Sequence, residues 1–76
     1  MYTLNNLQLG NSARVRYICC TDEAIHRRIL DLGLIKNTII KALYKSPSGD
    51  PVAYEIKGAV IALRSEITSQ IFVEVI

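Results

Sequence analysis

The chain has 76 residues, half of them hydrophobic, with nine Lys and Arg against seven Asp and Glu. That length holds one domain with one small core, and the apolar content excludes a disordered chain. A formal net charge of +2 is too small to call for a polyanionic partner, and no apolar run approaches the roughly 20 residues that cross a bilayer.

Residues 4–10 form a short segment closed by a turn at Gly10, Asn11 and Ser12. From Ala13 to Cys19, Ala13, Val15 and Tyr17 alternate with Arg14 and Arg16, which predicts a strand with one basic face. Thr21, Asp22 and Glu23 supply a cap and acidic charge for a helix start. Ile25, Ile29 and Leu32 then fall on one apolar stripe, and Gly33 sits where a left-handed residue ends a helix, so the helix runs over about 22–32. Arg27 and Arg28 lie off the stripe and face water. Asn37 tolerates positive φ and opens a β-branched strand over 38–44. Residues 46–51, Ser-Pro-Ser-Gly-Asp-Pro, are a loop, in which Asp50 between Gly49 and Pro51 is expected to bond loop N–H groups and hold it rigid. Val52–Ile56 alternates, Lys57-Gly58 reverses the chain, and Ala59–Arg64 follows as the second arm of a hairpin. A helical turn over 65–69 leads into a last strand carrying Ile71, Val73 and Val75.

Five short antiparallel strands and one helix cannot fill two sheets, so a small closed or half-closed barrel is expected, because closure removes exposed sheet edges. Its predicted core is Val15, Ile40, Ala42, Val52, Tyr54, Ile56, Ile61, Leu63, Ile71 and Val73, with the helix over one end. A domain this small leaves some apolar surface outside, which favours a partner or self-association.

Adjacent Cys19 and Cys20 cannot staple the fold. With Met1-Tyr2-Thr3 opening no signal peptide, they read as reduced thiols in a cytosol. Cys19, Cys20, Asp22, Glu23 and His26 are of metal-ligand type. Neighbouring strand residues point to opposite faces, however, and no second cluster completes a site. Cys20 and His26 form the sole thiol–imidazole pair, without an anion hole. No phosphate-binding glycine loop is present. Arg14, Arg16, Arg27, Arg28 and Arg64, with Tyr17, Tyr44 or Tyr54 as stacking platforms, are the candidates for nucleic-acid contact. The even charge balance favours a solvated surface instead. The expectation is therefore a binding module without catalytic, metal-ligating or cofactor-binding residues.

The run Arg27-Arg28-Ile29-Leu30-Asp31-Leu32-Gly33-Leu34, the loop 46–51 and the run Ile61-Ala62-Leu63-Arg64 together resemble the FeoA family of small proteins of bacterial ferrous-iron uptake. The resemblance covers nearly the whole chain. It implies one SH3-like barrel domain over residues 1–76 with a helix inserted after the first strand. It also implies a cytoplasmic, non-enzymatic accessory protein without a bound cofactor, acting with FeoB, the membrane ferrous-iron transporter with a cytosolic GTP-binding domain. Docking would modulate transport through Arg27, Arg28, Leu34, Pro47, Asp50, Pro51 and Arg64, with an arginine finger on the GTPase as the sharper variant. A similar barrel ends the iron-dependent repressors of the DtxR type. The alternative reading is accordingly a regulatory, nucleic-acid-binding or metal-sensing domain. Asn37 stands where the family usually has glycine, and Cys19-Cys20 lies outside the family pattern.

Overall fold

The computed structural model describes residues 2–76; Met1, on which the reading of the N-terminus began, lies outside them. Six strands form one antiparallel sheet: β1 (Tyr2–Thr3), β2 (Ser12–Ile18), β3 (Ile39–Lys45), β4 (Val52–Ile56), β5 (Ala59–Leu63) and β6 (Ile71–Val75). The spatial order is β1-β6-β2-β3-β4-β5. A 3-10 turn at Leu4–Asn6, helix α1 (Glu23–Asp31) and the short helix α2 (Ser65–Thr68) complete the domain.

Helix α1 starts and stops for local reasons. The Asp22 carboxylate accepts hydrogen bonds from the backbone N–H of Ala24 at 2.9 Å and of Ile25 at 3.3 Å, filling donors that the first turn leaves open. At the other end Gly33 N–H donates to Leu30 O at 2.9 Å and Leu34 N–H to Ile29 O at 3.3 Å. With Gly33 at φ 84°, this is the left-handed helix stop in which the residue two past the cap folds back onto the last turn. It explains Leu34, which was expected at a partner contact. The backbone reversal drives Leu34 into the core beside Ile29, and both are fully buried.

The core joins Leu4 and Leu7 to Val15, Ile29, Leu34, Ile40, Tyr54, Ile56, Leu63, Ile67, Ile71 and Val73. Residues from β2 to β6 thus share one interior, with α1, α2 and the 3-10 turn plugging its open sides. Val52 and Ile61, expected inside, pack only partly buried against the rim.

Three expectations change. The strands number six, not five. The extra one, β1, is two residues long and pairs Tyr2 with Val73 and Thr3 with Phe72, a contact set by β6 rather than by its own composition. The sheet keeps two unpaired ends, β1 and β5, so curling has not removed its edges. Finally, Arg16 in β2 and Leu43 in β3 are extra residues in their ladders, each opposite no partner. Such bulges bend a strand and move every later side chain to the other face. Tyr17 therefore leaves the face of Ala13 and Val15 and stacks outside on Phe72, with ring centres 4.7 Å apart. Tyr44 is likewise delivered to the outer surface.

The demand for glycine at position 33 is torsional, since the nearest atom to a Cβ there is the movable end of the exposed Lys57 side chain. A Cβ there would lie 3.3 Å from Lys57 Nζ, and a side chain at positive φ costs about 1–2 kcal/mol. Gly33→Ala is expected to lower the thermal midpoint by roughly 4–16 °C in calorimetry, with the folded spectrum retained below it. An unchanged midpoint would contradict this account of the helix stop.

Candidate functional site

The loop between β3 and β4 is ordered by its own short bonds. Ser46 N–H donates to Pro51 O at 3.1 Å, Gly49 N–H to Ser46 O at 2.8 Å, and the Ser48 hydroxyl to Asp50 O at 3.0 Å. Gly49, at φ 92°, makes the tightest part of the turn. The Asp50–Pro51 peptide is cis.

Asp50 was expected to bond N–H groups within this loop. Its carboxylate instead reaches across fifteen residues to the start of α2. Oδ1 accepts from Ser65 N–H at 3.0 Å, and Oδ2 lies 3.5 Å from the Ser65 hydroxyl and 3.8 Å from Arg64 Nη1. An acidic group is favoured at that end of a helical turn, and the bond fixes the loop against the β5–α2 junction. The Arg64–Asp50 ion pair is long and its side chains are well exposed. It adds little and leaves the Arg64 guanidinium free to meet another group.

Of the seven expected contact residues, the structure brings three to one cleft. Arg28 from α1, Pro51 from the loop and Arg64 after β5 line it, over a floor of Ala62 and Ile67 with Glu66 at the edge. Pro47 and Pro51 border a neighbouring apolar groove with Tyr44, Val60, Ala53 and Ala62. Arg27 is exposed on α1; it shares a shallow groove with Arg28, Ala24 and Asp31 and another with Glu23, His26 and Leu30, but it does not line the Arg28–Arg64 cleft. Leu34 is interior. Tyr44, Val60 and Ala62 were missed as surface residues of this corner. Tyr44 depends on the bulge at Leu43, whereas Val60 and Ala62 are legible from the alternation of the hairpin with Ile61.

The other candidates are dispersed. Arg14 and Arg16 stand in β2, Arg16 lies 3.8 Å from Glu74, and neither borders the Arg28–Arg64 cleft. Tyr54, offered as a stacking platform, is a core residue at 1% exposure. Cys19 and Cys20 follow the end of β2. Cys19 N–H bonds Gln70 O at 2.9 Å, and Cys20 Sγ lies 3.2 Å from Asp22 O. Among the described residues no three His, Cys, Asp or Glu side chains converge as metal ligands would. Among the described residues no helix is long and apolar enough to cross a membrane.

What this corner offers chemically is two guanidinium groups beside an apolar, proline-rimmed surface. Such a surface recognises carboxylate or phosphate groups set in an apolar protein face.

Comparison with known proteins agrees with the fold. The model of the FeoA domain matches residues 2–75. The chain belongs to the FeoA family. The FeoA-like protein of Clostridium acetobutylicum, solved by NMR, is 31% identical with a TM-score of 0.89, over 97% of this chain and 85% of that one. The zinc-complexed FeoA of Stenotrophomonas maltophilia, described as a prokaryotic SH3 domain protein, is 28% identical with a TM-score of 0.86, over 97% and 91%. The fold is thus the SH3-like one that the sequence implies. A manganese-dependent transcriptional repressor has the same fold in part of its length: TM-score 0.89 at 19% identity, covering 99% of this FeoA chain and 41% of the repressor. A search of curated proteins finds no match.

Beneath the corner, burial pushes the Tyr54 phenol above its usual 10.0; the Asp50 carboxylate acts in the same direction, and a hydrogen bond with Thr68 opposes both. The fold therefore favours the protonated phenol. Its contribution to stability is full below about pH 10 and is lost as pH rises through the higher folded-state value. Tyr54→Phe removes the titrating phenol and is expected to flatten the loss of stability above pH about 10. Denaturant titrations of both proteins at neutral and alkaline pH check this; parallel pH profiles would contradict it.

Asp50→Ala is expected to cost about 1–2 kcal/mol and to speed amide hydrogen exchange at Ser65 without unfolding the sheet. Unchanged exchange at Ser65 would show that the bond does not hold the loop.

Proposed function

We propose that this FeoA-family domain is a non-enzymatic accessory protein of bacterial ferrous-iron uptake. It docks in the cytoplasm on the GTP-binding part of a FeoB-type ferrous-iron transporter and modulates transport. The observation that carries the reading is the Arg28–Arg64 cleft beside the loop that Asp50 pins to α2. It is an exposed corner, held by the Asp50–Ser65 bond, that presents two guanidinium groups side by side. Family membership supports the iron-uptake context. So does the description of the S. maltophilia protein as a candidate bacterial ferrous iron transport activating factor.

In this reading Arg28 and Arg64 meet acidic or phosphate-bearing groups of the transporter, Pro47 and Pro51 supply the apolar border, and Asp50 acts by positioning. Arg27, next to Arg28 on α1 but outside the cleft, steers rather than anchors. Two arginines that meet charge in a contact excluding water contribute about 1.5–3 kcal/mol each.

The test is binding of the full chain to the transporter's isolated GTP-binding domain, together with GTP hydrolysis at saturating concentrations. Arg28→Ala and Arg64→Ala are each expected to weaken binding by roughly tenfold or more, and Arg27→Ala by much less. Replacing an arginine that acts as a finger on the GTPase would lower the stimulated hydrolysis rate at saturation; replacing a docking arginine would change only the concentration needed. Neither binding nor any effect on hydrolysis with the unaltered chain would overturn the reading.

A further inference from the structure

The open end of the sheet at β5 lacks the features that keep sheet edges apart. Natural edge strands carry charge, proline or a bulge, or are very short. The opposite edge, β1, is two residues long. Strand β5 reads Ala-Val-Ile-Ala-Leu, pairs only with β4, and follows it residue for residue from Ile56↔Ala59 to Val52↔Leu63 without a bulge. Val60 is 58% exposed, and Ala62 is exposed beside it.

The hairpin turn fixes which backbone groups are free. Lys57 and Gly58 have φ of 51° and 84°, the two positive values of the tight turn that matches strand twist. In such a hairpin the closing pair, Ile56 and Ala59, exchanges both hydrogen bonds, and bonded and unbonded pairs then alternate. Ala59, Ile61 and Leu63 therefore direct their N–H and C=O to β4. Val60 and Ala62 direct theirs to the open side. Neither makes a backbone hydrogen bond outside the sheet among the described residues.

We infer that β5 is the seam of a homodimer, in which the β5 strands of two copies pair antiparallel about a twofold axis through Ile61. Opposed residues of an antiparallel pair share a face, so the axis must pass through a residue. The Ile61 axis sets Val60 of each copy against Ala62 of the other. All four exposed N–H groups and all four C=O groups of these residues then find partners in four hydrogen bonds.

The side chains fit the same register. No charged residue lies within 59–63. Arg64 falls opposite Gly58 of the other copy, where there is no side chain and nothing within 4 Å of a Cβ position. On the outer face the apolar row Tyr44–Ala53–Ala62 continues across the axis onto Val60 of the second copy. The nearest charges on that face, Lys41 and Glu55, already oppose one another on β3 and β4. One surface complementary to itself under a twofold is the arrangement of an isologous contact. This inference does not rest on the transporter reading, and its test involves no transporter.

The experiment is sedimentation equilibrium of the full chain over a wide concentration range, with circular dichroism to confirm folding. The unaltered chain is expected to approach twice the monomer mass as concentration rises. Val60→Lys with Ala62→Lys sets lysine against lysine in both cross-axis pairs and should weaken dimerisation at least about tenfold. Val60→Lys with Ala62→Glu sets opposite charges there and should restore the dimer. Both positions are exposed, so both variants should fold. A chain that stays monomeric at millimolar concentration overturns the inference. So does a lysine–lysine variant that dimerises like the original, or a lysine–glutamate variant no better than the lysine–lysine one.

Discussion

A core without covalent staples has to be enclosed by very little chain, and that constraint shapes this molecule. Seventy-six residues cannot cover a flat sheet with helices on both faces. The sheet must fold over its own inner side. The bulges at Arg16 and Leu43 do the bending in two of the longest strands. The gaps are closed by single side chains from short elements: Leu4 and Leu7 from the N-terminal turn, Ile29 from α1, Leu34 beyond it and Ile67 from α2. Each is a large apolar group spent on closure, so loss of any one exposes the interior rather than trimming it.

The same bending creates the candidate contact surface. Tyr44 stands outside because the bulge at Leu43 put it there, and it forms a groove with Pro47, Pro51 and Val60. Next to that groove the Asp50 carboxylate ties loop to helix, which converts six turn-forming residues into a fixed wall. A rigid wall loses little entropy when a partner binds. The long, exposed pair with Asp50 leaves the Arg64 guanidinium able to exchange water for an acidic group. Ala62 belongs both to this cleft and to the open edge of β5, so the two surfaces of the domain meet along one strand.

Much of the fold was legible because its signals are local. The cap at Asp22, the stop at Gly33, the positive φ at Asn37 and Lys57-Gly58, and the alternation in β4 and β6 each lie within a few residues of their effect. The three-motif resemblance to FeoA was likewise written in short runs. What could not be read is what distance decides. Strand β1 exists only because β6 lies beside it. Tyr17 and Tyr44 face outward because of bulges that no residue type announces. Leu34 looked like the exposed end of a helix motif, yet the left-handed turn at Gly33 folds it inward. Asp50 looked like a turn residue serving its own loop, but its partner is Ser65. At the site, the arginines and prolines were legible as types, while their convergence on one cleft, and the separation of Arg27 from it, came only with the fold.

The central claim is that the corner formed by Arg28, the 46–51 loop and Arg64 is where this FeoA-family domain meets a transporter. Amide chemical-shift mapping by NMR tests it most directly, titrating the labelled chain with the transporter's GTP-binding domain under reducing conditions. The account predicts shifts concentrated at residues 28, 47–51 and 62–66, with the Tyr17–Phe72 face unmoved. Shifts confined to that opposite face, or none at saturating partner, would contradict it.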